Sequence, residues 1–127
     1  MADTIFKILL FMKRRGDISV AQFRDYYENS HAPLCARYSG QVSRYVRRYI
    51  TPQPHPETGP AAEMAFDVIT ELWFDQEATY LATLDYITTN IMPDNIIEDE
   101  MNLFDRNSFR IATLTECETP IEDLGRS

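Results

Sequence analysis

The chain reads as an α+β domain in which strands and helices alternate as β-α-β-β-α-β, forming one four-stranded antiparallel sheet. Three observations carry that reading. Apolar runs at 4–13, 42–51, 66–74 and 108–116 supply four strands. Helix-start signals at Ser19, Asp75 and Asp94 fall between the first and second strands and between the third and fourth. The stretch PQPHPETGPAAE (52–63) holds prolines and a glycine but no periodic pattern, so strands two and three follow each other through a long loop.

The first run, TIFKILLFMK, places Phe6, Ile8, Leu10 and Met12 on one face and Ile5, Lys7, Leu9, Phe11 and Lys13 on the other. A strand apolar on both faces is covered on both sides. RRGD (14–17) is a turn. Ser19 then caps a helix, with Gln22 completing a capping box and Ile18 and Phe23 forming a hydrophobic staple. Phe23, Tyr27, Ser30 and His31 share one face of this helix, with Tyr26 and Leu34 on the flanks. Pro33 lacks an N–H and disfavours helical geometry at Ala32, so a break is expected near His31, with at most one further turn through LCARY.

The second strand alternates Tyr45, Arg47 and Tyr49 against Arg44, Val46, Arg48 and Ile50. The third alternates Phe66, Val68, Thr70, Leu72 and Phe74 against Asp67, Ile69, Glu71 and Trp73. Asp75 is placed to cap QEATYLATLDYI. Pro93 ends that helix, and Asp94 is placed to cap NIIEDEMNLF. SFRIATLTE is the fourth strand. With no repeat or linker, residues 1–127 form a single domain, with a core over about 4–117 and a loose acidic tail at 118–127. This element order is the ferredoxin-like split βαβ, with both helical layers on one face of the sheet. The other face would then be bare, yet strands one and three are apolar there. A second copy, sheet against sheet, is the simplest cover, so a homodimer is expected.

Composition narrows the partners. Twelve Lys and Arg against 20 Asp and Glu give a formal charge of −8. An acidic surface argues against binding nucleic acid or an anionic membrane. Cys35 and Cys117 lie far apart with no CxxC, which fits a reducing, cytoplasmic setting. The start, MADTIFKILLFMKRR, is too short to span a membrane and lacks a small-residue cleavage site. GxGxxG, P-loop, HExxH and GxSxG motifs are all missing, so neither cofactor nor metal is expected.

His31 is the leading candidate for chemistry, because an imidazole gives or accepts a proton near neutral pH. A histidine in that place can equally hold the loose carbonyls of a helix end. Tyr27, on the same face, can donate to a developing oxyanion or simply pack in the core. Asp67 and Glu71 are two carboxylates on one strand face with Ile69 and Trp73. They are candidates for an acid/base relay with His31, or else for an arginine–carboxylate lattice with Arg44 or Arg47. Tyr26, Tyr45, Arg47, Phe11 and Trp73 are candidate substrate contacts. His55, in the proline-rich loop, reaches a pocket only if that loop closes as a lid.

The series KRRGDISVAQFRDYYENSHAPL, YVRRYI, FDVITELWF, EDEMNLFDR and ATLTE resembles the EthD family over roughly residues 5–117. FRDYYENSHAPL feeding into YVRRYI is the most specific part. The arginine-rich second strand and the EDE…FDR segment look most like fungal members serving aromatic polyketide pathways. The resemblance implies a dimeric α+β barrel with a pocket between sheet and helices in each protomer, and His31 where relatives use or propose a base. It also implies a family of cofactor-free cyclases, dehydratases, decarboxylases, lactone isomerases and small monooxygenases, whose name-giving protein accompanies an ether-degrading oxygenase. Asp99, Glu100 and Asp105 match its acidic helix segment and read as helix-end and surface groups. The expectation is therefore a lyase or cyclase of secondary metabolism, acting on an aromatic or polyketide-like molecule through an enolate. The alternatives are a non-catalytic binding or auxiliary protein and a cofactor-independent monooxygenase or lactone isomerase.

Overall fold

The computed structural model describes residues 4–125; residues 1–3 and 126–127, the extreme ends of the first apolar stretch and of the acidic tail, lie outside them. The order is β1 (Phe6–Met12), α1 (Val20–Tyr26), a π-helical turn (Tyr27–His31), α2 (Ala32–Ala36), β2 (Arg44–Tyr49), β3 (Val68–Phe74), α3 (Glu77–Thr89), α4 (Asp94–Met101) and β4 (Arg110–Ala112). The strands lie in the order β2-β3-β1-β4, every pair antiparallel. This is the ferredoxin-like α+β fold.

The central pair β1 and β3 sets the register, from Phe6 opposite Phe74 to Met12 opposite Val68. Alternation along it decides what each residue can reach. Ile8, Met12, Val68, Thr70, Leu72 and Phe74 are buried beneath the helices. Lys7, Leu9, Phe11, Ile69, Glu71 and Trp73 take the outer face. β4 is shorter than its sequence pattern suggests, and the described chain beyond it is exposed, including one tight turn at Ile121–Asp123.

α1 starts as its sequence dictates. Ser19 Oγ accepts from the Gln22 N–H at 3.1 Å, and Gln22 Oε1 accepts from the Ser19 N–H at 2.8 Å. Ile18 packs with Phe23 against the core. The expected break at Pro33 does not occur. The Ala32 N–H reaches back five residues to the Tyr27 carbonyl, and the helix continues to Ala36. In a regular α-helix the Pro33 ring would collide with the carbonyl of Asn29. One widened turn relieves that collision without ending the helix. The helix-start signals at Asp75 and Asp94 are each one position off. α3 is preceded by Gln76, with no side-chain cap, and Asp94 is the first residue of α4, behind Pro93.

Two apolar clusters fill the space between sheet and helices. Met12, Phe23, Tyr27, Ala32, Val68, Leu103 and Phe104 form one, below α1 and the π turn. Ile8, Leu72 and Phe74 form the other, with Tyr80, Leu84 and Ile87 of α3 against them. Leu10 and Tyr45 touch both. The hydroxyls of Tyr27 and Thr70 meet at 2.5 Å inside the first cluster, joining the π turn to the centre of the sheet. Among the described residues no helix is long and apolar enough to cross a membrane.

Tyr27→Phe strands a buried Thr70 hydroxyl and should cost about 1–3 kcal/mol, whereas Tyr27→Phe with Thr70→Val should recover most of that loss. Urea unfolding of the two single variants and the double variant measures the coupling. Additive losses would show that the two hydroxyls do not depend on each other.

Candidate active site

Between the two clusters lies a cavity of about 1020 Å³. Its floor is the sheet, through Leu10, Met12, Tyr45 and Leu72; its walls are the π turn with α2 on one side and α3 with α4 on the other. Ile91, 83% exposed, and Pro93 stand at its rim on the α3–α4 connection. Most of the lining is apolar, and the polar groups are few.

His31 is one of them, and it is only 3% exposed. Its Nδ1 lies 3.0 Å from Asp99 Oδ2 on α4. A carboxylate only accepts, so Nδ1 carries the ring proton and Nε2 keeps its lone pair. Asp99 is itself fixed: its Oδ1 accepts from Tyr26 Oη at 2.7 Å and from Ser30 Oγ at 2.9 Å. Tyr27 packs edge-on to the imidazole at 5.0 Å between centroids, and Phe104 does so from the other side at 6.1 Å. The ring is therefore clamped in plane and in tautomer.

Cys35, one helical turn on, has its Sγ 3.5 Å from Nε2 and 3.9 Å from Nδ1. The shorter of these contacts brings the thiol within hydrogen-bonding reach of Nε2, where an S–H is only a weak donor. Burial pushes the Cys35 thiol up to about 12, with the Glu100 charge adding to it. The sulfur is a thiol at neutral pH, and this weak S–H is the only protein partner of Nε2 among the described residues. Burial also lowers the imidazole from its ordinary 6.5, against the opposing pull of Asp99, so His31 is a neutral base at pH 7.

Tyr45 lines the same cavity, and burial holds its phenol protonated far above the ordinary range. Its hydroxyl lies within hydrogen-bonding reach of the Tyr27 hydroxyl and the Cys35 thiol, beside the cavity. The Tyr27 phenol, also raised by burial, is already engaged with Thr70.

The sheet separates the other sequence candidates from this site. Asp67, Glu71, Trp73 and Phe11 lie on its outer face, so the expected relay between a β3 carboxylate and His31 is not formed. Period-two alternation is the reason: with Thr70 and Leu72 turned to the helices, their neighbours must turn away. Asp67 instead ties down the start of the first turn, accepting from the Arg14 N–H and from Arg14 Nη1, each at 2.8 Å. Glu71 accepts from Arg48 Nε at 2.6 Å and Trp73 Nε1 at 2.8 Å. Burial works to raise the Glu71 carboxyl, but these two hydrogen bonds outweigh it and hold it below its ordinary value. Trp73 lies between the cations of Lys7 and Arg44, at 4.3 and 4.6 Å from its ring. Phe11 packs on Phe66.

Arg47 does face the helices but is taken by Glu28 in a two-pronged pair at 2.7 and 3.0 Å. Tyr26 buttresses Asp99 outside the cavity lining. His55 is exposed, accepts from the Glu57 N–H, and contributes nothing to the cavity, nor does any residue of 52–63. That loop is not a lid. Its far end runs back to the first turn, where Glu63 pairs with Arg14.

Asp99 and Glu100 are the functional candidates that sequence reasoning placed on the surface. An acidic helix of eight residues, DNIIEDEM, reads as solvated. The one signal available was that two carboxylates flank the buried face marked by Ile96. Among the described residues no three His, Cys, Asp or Glu side chains converge to hold a metal ion.

Comparison with known proteins agrees with this architecture. The EthD domain model matches residues 15–107. The chain belongs to the EthD family. An EthD family protein from Bacillus halodurans C-125 superposes with a TM-score of 0.55 at 17% identity, covering 90% of this chain and all of its own. An EthD-like protein from Ralstonia eutropha JMP134 gives 0.50 at 17% identity, covering 89% of this chain and 88% of its own. A hydroxynitrile lyase from Passiflora edulis gives 0.43 at 13% identity, covering 93% of this chain and all of its own. No curated protein matches the sequence. At these identities the EthD structures share the fold and do not transfer a reaction.

His31 should titrate below 6.5, and Asp99→Asn should lower it further, because the carboxylate works upward against burial. The unfolded chain binds a proton that the folded chain resists, so stability should fall as pH drops through 6.5 towards the folded value. Nitrogen NMR of the imidazole, beside urea midpoints across pH, checks both. A His31 that titrates above 6.5 contradicts the assignment.

Proposed function

We propose that this EthD protein is a cofactor-free lyase or cyclase that acts on an aromatic or polyketide-like small molecule, with His31 as its general base. The observation that carries the proposal is the Asp99–His31 pair at 3.0 Å on the wall of a large apolar cavity. A neutral imidazole with Nδ1–H fixed and only a weakly donating thiol at Nε2 is poised to take a proton from carbon next to a carbonyl. Tyr45 is the group best placed to donate to the enolate oxygen so formed. A cavity of about 1020 Å³ accommodates a multi-ring molecule, and its wall favours flat apolar surface. Loss of water, loss of carbon dioxide and ring closure all pass through such an enolate. The family resemblance to fungal polyketide-pathway members supports a role in secondary metabolism, and the free thiols of Cys35 and Cys117 fit a cytoplasmic site.

We also propose that two chains associate through the outer faces of their sheets. Leu9, Phe11, Val46 and Ile69 form an apolar centre there, bordered by the Arg48–Glu71 pair and the cation-flanked Trp73. Helices cover only the opposite face, and a second sheet is the cover of matching shape.

His31→Gln should lower kcat by about 10²–10⁴ on a pathway-derived carbonyl substrate, with the fold intact by circular dichroism. Unchanged turnover would remove His31 from the chemistry and favour a binding or auxiliary role. Ile69→Glu should shift sedimentation from dimer to monomer; wild-type protein sedimenting as a monomer would refute the association.

A further inference from the structure

The cavity holds a second ionisable side chain that base chemistry at His31 does not use. Glu100 follows Asp99 on α4, so the two carboxylates leave the helix in different directions. Asp99 turns to His31, and Glu100 turns into the cavity. The Glu100 residue is 8% exposed. Its Oε1 accepts from Arg106 Nε at 3.3 Å. Oε2 has no protein partner among the described residues, and no buried side-chain oxygen among them is left unsatisfied, so Oε2 keeps accessible surface on a residue that lines the cavity.

This asymmetry determines which oxygen can carry a proton. An oxygen that accepts from a guanidinium is the carbonyl oxygen of a neutral carboxyl, which leaves the hydroxyl at Oε2. Burial raises the Glu100 carboxyl and outweighs the lowering effect of Arg106, and the neighbouring Asp99 charge adds to the rise. Cys35, whose sulfur lies 3.5 Å from His31 Nε2, lines the same cavity as Glu100. The base and the carboxyl therefore share one wall of one cavity, with Arg106, Asp99 and Cys35 as the charged and titratable groups around Glu100.

We propose that Glu100 is the acid partner of His31, donating its Oε2 proton to a departing hydroxyl, so that the site eliminates water from a β-hydroxy carbonyl compound. The inference rests on the reading of His31 as base. His31 Nε2 takes the proton from the carbon next to the carbonyl. That C–H pair becomes the new C=C bond as the C–O bond breaks, and the departing oxygen takes the Glu100 proton and leaves as water. One proton on imidazolium and one missing from Glu100 then cancel through solvent, with nothing oxidised or reduced. Elimination of a poor leaving group calls for an acid beside the base.

The test uses a β-hydroxy-β-aryl ketone and its β-acetoxy counterpart, whose leaving group needs no proton. Glu100→Gln should lower elimination from the hydroxy ketone by about 10²-fold and from the acetoxy ketone far less, whereas His31→Gln should lose both. Hydroxy-ketone turnover unchanged in Glu100→Gln would overturn the acid role and leave the base standing; both turnovers unchanged in His31→Gln would remove the base itself. A substrate-independent reading comes from infrared difference spectra. The protonated-carboxyl band should be present in the wild type at neutral pH, shifted in Glu100→Asp and missing in Glu100→Gln. Its absence from the wild type would overturn the proposal whatever the substrate.

Discussion

The carboxylate of Asp99 is the tie on which the site depends. It accepts from Tyr26, Ser30 and His31, all on one helical segment, while itself belonging to α4. These are hydrogen bonds to a charged acceptor in a largely water-free setting, which makes them stronger than neutral ones and costly to leave unmade. They bring α4 against the π turn, close one end of the cavity, and select the tautomer of His31 in a single arrangement. Without that carboxylate the imidazole would have neither a fixed tautomer nor a fixed plane, and Glu100, the next residue, would lose its aim into the cavity.

The π turn is the backbone counterpart of that tie. An α-helical path through Tyr27–His31 would advance about 100° per residue and end against Pro33. The wider turn spreads Tyr27, Ser30 and His31 differently, so the Tyr27 hydroxyl reaches Thr70 in the sheet while Ser30 and His31 both face Asp99. Pro33 thus explains why the turn widens at this point, and the widened turn explains how one short segment serves both sheet and α4. π turns recur at functional positions because they place side chains that a uniform helix cannot.

Much of the fold was legible because it follows from local rules. Ser19, Gln22, Ile18 and Phe23 specify one helix start, and alternation in FDVITELWF specifies two faces. Which face turns inward was not legible, since both carry large apolar groups. Val68 and Leu72 differ little in kind from Ile69 and Trp73. Only packing against α1 and α3 decides, and that decision moved Asp67 and Glu71 away from His31. Conversely, Asp99 and Glu100 sit in a run of charge that resembles a solvated face. A buried carboxylate is marked by its partners, and those partners lie about 70 residues earlier, beyond the reach of any periodicity.

The cavity was implied by the family resemblance but was not legible in the residues themselves, for a related reason. α3 presents Ala78, Thr79, Ala82 and Thr83 to it, at the spacing of one helical stripe. Small side chains on the inward stripe of a helix give it weak amphipathicity, so EATYLATLDYITT looks like an ordinary half-buried helix. In a close-packed interior, though, a stripe of alanine and threonine facing a sheet is volume withheld. Leucines on the same stripe would join the two apolar clusters into one core. With alanine and threonine there, the clusters stay apart and the space between them stays open. The space left open accounts for how the core is divided, and among the polar groups that line it His31, Tyr45 and Glu100 come from three different elements. Packing alone gives no reason for those groups to converge on an unfilled space, whereas a bound substrate would explain both the space and the convergence.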